Sequence, residues 1–196
     1  MSTNGTAETA LVVPVPAATS TVAPWRERLD RTAVHGVPAH ITVLYPFVPP
    51  PELCPDDVAR LAEMFAATPP FDFALDRVGW FGDQVVYLAP EPSAPFLALT
   101  RCVMDAFPGY QPYGGAYTDL TPHLTLGAGP VDDLRQAAQA VQSSLPIRAR
   151  AGDVWLMAGT TAPAGRWRVR ARFPLGGGQL GGGQLGGGQL GGGQPA

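Results

Sequence analysis

Pro38-Ala39-His40-Ile41-Thr42-Val43-Leu44-Tyr45-Pro46-Phe47 and Thr121-Pro122-His123-Leu124-Thr125-Leu126-Gly127 share one pattern. Each sets a histidine and a threonine two positions apart, with aliphatic residues between and after them. Alternation of polar and apolar residues, some of them β-branched, marks a half-buried strand. On a strand, residues i and i+2 share a face. His40 and Thr42 are therefore predicted on one side, with Ile41 and Val43 on the other. His123 and Thr125 oppose Leu124 and Leu126 in the same way. Two of the chain's three histidines stand in this pattern, and the repetition carries more information than either motif alone.

Working outward, residues 10–15 read as a first strand and residues 21–31 as a helix, with Trp25 and Leu29 four apart and Pro24 near its start. A Gly/Pro loop over 35–39 precedes the first histidine strand, which a run of prolines from Pro46 to Pro51 closes. Residues 56–67 predict a second helix, its apolar stripe made by Val58, Leu61, Ala62 and Phe65. Residues 71–80 alternate as a strand, and 84–88 is its hairpin partner across Gly82-Asp83. Residues 93–107 predict a third helix with Ser93 as N-cap. A long loop over 108–121 then leads to the second histidine strand, and 131–145 is a fourth helix. Residues 147–157 and 166–173 are read as strands paired in a hairpin. On the last of these Arg166, Arg168, Arg170 and Arg172 alternate with Trp167, Val169, Ala171 and Phe173, which predicts an arginine face and an apolar face.

The same run of element types occurs twice. It predicts an α+β fold made by duplication: two pseudo-symmetric lobes, each an antiparallel-rich sheet with helices on its outer face, and a central cleft between them. Residues 1–9 are small and polar, and from Leu175 the chain repeats LGGGQ four times before Pro195-Ala196. Both ends are expected to be disordered, leaving a folded domain over 10–174.

A net charge of −3 does not mark a nucleic-acid binder by bulk charge. All thirteen basic residues are arginine, a side chain suited to bidentate phosphate contacts. Cys54 and Cys102 stand in no metal-binding or redox spacing. The start of the chain has no basic segment, and Pro14 and Pro16 cut its apolar run, unlike a signal peptide. No stretch approaches the ~20 apolar residues of a membrane span. A cytoplasmic monomer without an obligate protein partner is expected.

If helices cover one face of each sheet, His40, Thr42, His123 and Thr125 face the cleft. Two imidazoles on either side of a phosphorus can serve as general base and general acid, because their ordinary pKa allows both protonation states near neutrality. Threonine hydroxyls can donate to the non-bridging oxygens as charge builds. The imidazoles are then expected about 5–8 Å apart, one hydrogen bond on each side of a phosphate. A structural zinc site wants four ligands, so two positioned histidines do not predict one.

The paired His-x-Thr motifs, His40-Ile41-Thr42 and His123-Leu124-Thr125, resemble those of the 2H phosphoesterase superfamily. The nearest resemblance is to its 2′-5′ RNA ligase-like branch, the LigT-like cyclic phosphodiesterases. The apolar first strand ending in Val-Pro, the Tyr-Gly-Gly loop before Thr-Pro-His and the Arg-Trp-Arg-Val stretch fit as well, so the likeness spans roughly residues 10–174. The resemblance implies a bilobal fold, a mechanism without metal or cofactor, and a substrate that is an RNA 3′ end or a small nucleotide. It implies that His40 and His123 are the acid–base pair and that Thr42 and Thr125 hold the phosphate. The leading expectation is hydrolysis of 2′,3′-cyclic phosphates. One alternative is hydrolysis of 2′-5′ or 3′-5′ linked or cyclic oligonucleotide signals. Another, of a different class, is a nucleotide- or RNA-binding module without turnover.

Further substrate contacts are open at this stage. Tyr45 and Tyr117 are candidates to stack on a base, as are Tyr113 and Trp80. Arg168 and Arg170 are candidates to meet phosphate, with Arg148, Arg150, Arg166 and Arg172 behind them, although an alternating arginine strand equally fits a solvated sheet face. Asp119 lies four residues before His123 and is a candidate to orient it. His35 sits in a loop outside either motif and is expected at the surface.

Overall fold

The computed structural model describes residues 6–115 and 120–177. Along the chain run β1 (Glu8–Pro14), α1 (Thr19–Leu29), α2 (Arg31–Val34), β2 (His40–Leu44), α3 (Pro55–Ala66), β3 (Phe71–Phe81) and β4 (Val85–Glu91). They are followed by α4 (Ala94–Ala106), β5 (Leu124–Ala128), α5 (Val131–Gln142), β6 (Ile147–Ala151), β7 (Asp153–Gly159) and β8 (Arg168–Pro174). Two four-stranded sheets result, in the orders β2-β1-β7-β8 and β5-β4-β3-β6. Every pairing is antiparallel.

The duplication is present, but its two units are not the two halves of the chain. The first sheet takes two strands from each end, and the second is the chain's middle. In both, a strand leads through a helix to its own antiparallel neighbour, β1-α1-β2 in one and β4-α4-β5 in the other. That neighbour is the histidine strand, and it lies at the sheet edge. The two edge strands β2 and β5 touch where the sheets meet.

An edge strand leaves backbone groups unpaired. Here a helix from the other unit covers each one. α4 packs on β2, and Thr100 Oγ1 donates to the Val43 carbonyl at 2.9 Å. α1 packs on β5, where a side chain at Gly127 would come within 2.5 Å of Leu29 Cβ. Glycine at that position is what lets helix and strand approach so closely. Ile41, Val43, Leu124 and Leu126 all enter the main core, as the alternation predicts. Each fully buried aliphatic side chain of this kind contributes roughly 1.5–3 kcal/mol.

Several boundaries differ from the sequence expectations. β1 begins at Glu8, inside the segment expected to be disordered, and Thr9 is buried with its hydroxyl on the Val48 carbonyl. Pro24 lies within α1 rather than near its start, and Ser93 makes no side-chain capping bond to α4. The strand expected over 147–157 is two strands in different sheets, divided at Gly152. Leu175 is buried in the main core, and its amide donates to the Gly152 carbonyl. The ordered domain therefore extends past Pro174 into the first repeat, while residues 178–196 lie outside the described residues.

The last strand departs from simple alternation. Leu156 pairs with Ala171 but Met157 pairs with Val169, so Arg170 is an extra residue in a β-bulge. The bulge switches faces. Ala171 and Phe173 pack on the main core, whereas Trp167 and Val169 join Ala10, Val12, Val37 and Met157 in a smaller apolar cluster. Arg172 falls opposite Trp155 and lies 4.5 Å over its ring. Because β1 feeds both clusters, Leu11 and Val13 to one and Ala10 and Val12 to the other, its sequence is apolar without alternating.

Candidate active site

His40 lies opposite Pro14 on β1, and Thr42 lies opposite Val12. His123 stands one residue before β5, and Thr125 lies opposite Tyr87 on β4. All four side chains line one cleft of about 260 Å³ between the sheets. Its floor is the smaller apolar cluster, with Ala10, Val12, Val37, Met157 and Trp167. Tyr45, Tyr113, Asp30, Thr32 and Thr161 complete the lining.

The two imidazoles are held by the same bond. His40 Nδ1 is 2.8 Å from the Pro38 carbonyl oxygen, and His123 Nδ1 is 2.7 Å from that of Thr121. A carbonyl only accepts, so Nδ1 carries the proton and donates. In the neutral ring Nε2 is then the bare, basic nitrogen. A proline adjoins each anchor, Pro38 itself in one motif and Pro122 after Thr121 in the other, and its fixed φ stiffens the approach.

Both rings titrate below the ordinary imidazole value. Burial is the larger cause in each case. His40 is pushed down to about 4, by burial first and by the Arg26 guanidinium second; the Pro38 carbonyl and Asp30 pull the other way, and His123 adds slightly to the lowering. For His123 the Thr121 carbonyl opposes the effect of burial. An anion between the rings favours their charged forms, so an occupied cleft moves both values back up.

Their surroundings differ. Phe81 stands edge-on to the His123 ring at 4.9 Å, and Tyr87 is 5.3 Å away. Phe81 and Tyr87 stack on each other at 4.4 Å. Tyr87 lies across Gly79, where an added Cβ would sit 2.4 Å from the phenol ring. His40 instead lies near a buried ion pair, Arg26–Asp30. Tyr45 donates its hydroxyl to Glu8 at 2.8 Å, and burial with that carboxylate pushes the phenol up to about 12. Its ring meets Trp167 edge-on at 6.2 Å. Trp167 is buried, and its Nε1 is the one buried side-chain nitrogen or oxygen among the described residues without a hydrogen-bond partner.

A family model for the 2′-5′ RNA ligase superfamily matches residues 13–162, a stretch that holds both histidine motifs. The chain belongs to that superfamily. No curated protein matches it by sequence. Solved structures match over nearly their whole length. E. coli LigT complexed with 3′-AMP is 20% identical with a TM-score of 0.54, covering 86% of this chain and 98% of its own. E. coli LigT complexed with NADP+ is 20% identical with a TM-score of 0.53, covering 88% and 99%. TT0787 of Thermus thermophilus is 18% identical with a TM-score of 0.59, covering 88% and 100%. At these identities the likeness is one of fold.

Within this superfamily fold the other sequence candidates fall in different places. Tyr45 and Tyr113 line the cleft. Tyr117 and Asp119 lie outside the described residues. Arg168 and Arg170, candidates for phosphate contact, are exposed on β8 and absent from the cleft lining, whereas their neighbours Trp167 and Val169 join the apolar cluster at its floor. Arg150 pairs with Asp72 at 2.9 Å on the second sheet, and Trp80 does not line the cleft. His35 is buried rather than at the surface. Its Nδ1 is 2.9 Å from the Gly165 carbonyl and its own carbonyl accepts from the Trp167 amide, which ties the approach to β2 to the approach to β8. Sequence reasoning missed Arg26, Asp30, Phe81, Tyr87 and Trp167. The four-residue spacing of Arg26 and Asp30 was a visible signal of a helical ion pair; the others show only as strand alternation.

Among the described residues, no group of three or more His, Cys, Asp or Glu side chains is placed to hold a metal ion. No helix among them is long and apolar enough to cross a membrane.

Proposed function

We propose that the chain is a metal-independent phosphodiesterase that opens 2′,3′-cyclic phosphates of nucleotides or RNA ends. One observation carries this reading: two imidazoles in one cleft, each with Nδ1 locked on a carbonyl so that Nε2 of the neutral ring carries no proton, each with a threonine two residues on. Superfamily membership supports a phosphoesterase-type function. That E. coli LigT forms a complex with 3′-AMP supports a nucleotide as the occupant.

In the proposed step Nε2 of one neutral histidine takes a proton from water, and the water oxygen bonds to phosphorus. The bond from phosphorus to one ribose oxygen breaks, and that oxygen takes the proton of the second, charged histidine. The product is a phosphomonoester beside a free hydroxyl. Thr42 and Thr125 donate to the non-bridging oxygens as their charge grows. The apolar floor seats the base or sugar. Both proton transfers and the charge stabilisation thus have side chains to perform them.

The test is a turnover screen of the full chain with EDTA present. The substrates are 2′,3′-cyclic nucleotides, 2′-5′ dinucleotides and cyclic oligonucleotides. Turnover of the cyclic nucleotides is expected. Binding without turnover makes the protein a binding module. Turnover of the linked or cyclic oligonucleotides alone moves the substrate to that class. Loss of activity in EDTA, restored by a divalent ion, overturns the metal-independent step.

A further inference from the structure

We infer that the buried Arg26–Asp30 pair is a positioning device for His40, which fixes the approach of the chain to that ring and sets its charge state. The consequence for turnover rests on the phosphodiesterase reading; the effect on the ring does not.

The pair is an unusual expense. Arg26 is 4% exposed and Asp30 8%. Arg26 Nε and one terminal nitrogen both donate to Asp30 Oδ2, at 2.9 and 2.8 Å. Taking two charges out of water costs several kcal/mol per ion, and well-packed apolar residues often do as well or better for stability. Stability alone therefore gives a weak reason for the pair.

Its bonds lead to the catalytic candidate. Asp30 ends α1 and caps α2, and its Oδ1 accepts from the Thr32 amide at 2.9 Å and the Thr32 hydroxyl at 2.7 Å. Arg26 also donates to the Val37 carbonyl at 3.3 Å. The next residue is Pro38, whose carbonyl receives the His40 Nδ1 proton. Asp30, Thr32, Val37 and His40 all line the cleft. One guanidinium therefore holds both ends of the segment that aims His40.

The charges act on the same ring. The groups felt by His40 are the Arg26 guanidinium and the Asp30 carboxylate from the end of α1, and the His123 ring from the start of β5. Arg26 disfavours the imidazolium and Asp30 favours it, with Arg26 the stronger. Among the described residues, burial and the Thr121 carbonyl act on His123 and no ion pair does. Among the described residues the device belongs to His40.

The two charges predict shifts of opposite sign, which simple loosening of the site does not. Histidine Cε1–H signals of the full chain are titrated by NMR, with His40 assigned from a His40→Gln variant. The His40 pKa is expected to fall in the order Arg26→Gln, then Arg26→Gln/Asp30→Asn, then wild type, then Asp30→Asn. The first shift is a rise of ~1 unit. The double variant keeps amide partners for each other and guards against a single variant that fails to fold. Asp30→Asn raising His40, or all variants raising it alike, overturns the proposal and leaves a merely structural pair. Shifts in the expected order in a protein with no turnover would leave the device standing and remove the phosphodiesterase reading instead.

Discussion

His40 and His123 occupy equivalent positions and have different neighbours. Both stand at or just before an edge strand, hydrogen-bond a carbonyl two residues back and face the same cleft. One has a buried ion pair at hand; the other has two aromatic rings. The local sequence builds the same tautomer and the same aim twice, because the bond that fixes each ring spans only two residues. What surrounds each ring comes from elsewhere in the chain, and there the duplicated units have diverged.

The largest test of that equivalence is removal of either ring. His40→Ala and His123→Ala are each expected to lower kcat roughly 10²–10⁴-fold, the usual worth of a general acid or base. The double variant is expected to lose little more than the worse single one, since residues acting as a unit are not additive. The screen above, run on the three variants, checks this. Wild-type turnover in either single variant would break the pairing.

Thr42 and Thr125 come next. Thr42→Ala and Thr125→Ala each remove one hydrogen bond to a charged oxygen, worth about 1.5–3 kcal/mol, or roughly 10–10²-fold in kcat. A loss as large as that from the histidines would mean that the hydroxyls do more than stabilise charge. Circular dichroism melts separate a folding defect from a catalytic one.

The pH profile then tests the lowered affinities. kcat/KM reports the free enzyme and kcat the occupied one. Both rings lie below the ordinary value of ~6.5 when the cleft is empty. One must be neutral and the other charged, so the kcat/KM bell is expected to centre on the acid side of that value. The bound phosphate anion favours both charged forms, so the kcat bell is expected at higher pH. Rates at half-unit steps in pH check it. Coincident bells, or a kcat/KM bell centred above neutrality, would contradict the lowering by burial.

Most of the fold was legible because strand alternation and helical stripes are local signals. The motif strands were plain for that reason, and so was the side each residue faces. What was hidden depends on pairing between distant segments. Gly152 alone separates β6 from β7, and nothing nearby shows that they enter different sheets. The bulge at Arg170 is defined by its partners on β7, so the regular arginine spacing misplaced Trp167 and Val169 relative to Phe173. His35 is buried by a bond to a carbonyl 130 positions away. Leu175 reads as a repeat residue and packs as a core one. In the site, the histidines and threonines could be named from spacing, while Phe81, Tyr87, Arg26 and Asp30 reach them only through the tertiary fold.

The smallest expected effect isolates the aromatic side of the comparison. Phe81 is 39% exposed, so Phe81→Ala removes a ring that contributes little to the core. It does remove the edge contact on His123, and Tyr87 loses its stacking partner. Water then reaches the imidazole more readily. Burial is the main cause of the lowered His123 affinity, so its pKa is expected to rise toward the ordinary value. Phe81 is not among the groups that act on His40, so that ring is expected to hold its value. NMR titration of the full-length variant reads both rings in one experiment, and turnover is expected to fall only a few-fold, since the Thr121 carbonyl still aims His123. Arg26→Gln should give the mirror result, moving His40 and leaving His123. If Phe81→Ala moves both rings together, the two sites share one environment, and the division between an ionic and an aromatic histidine fails.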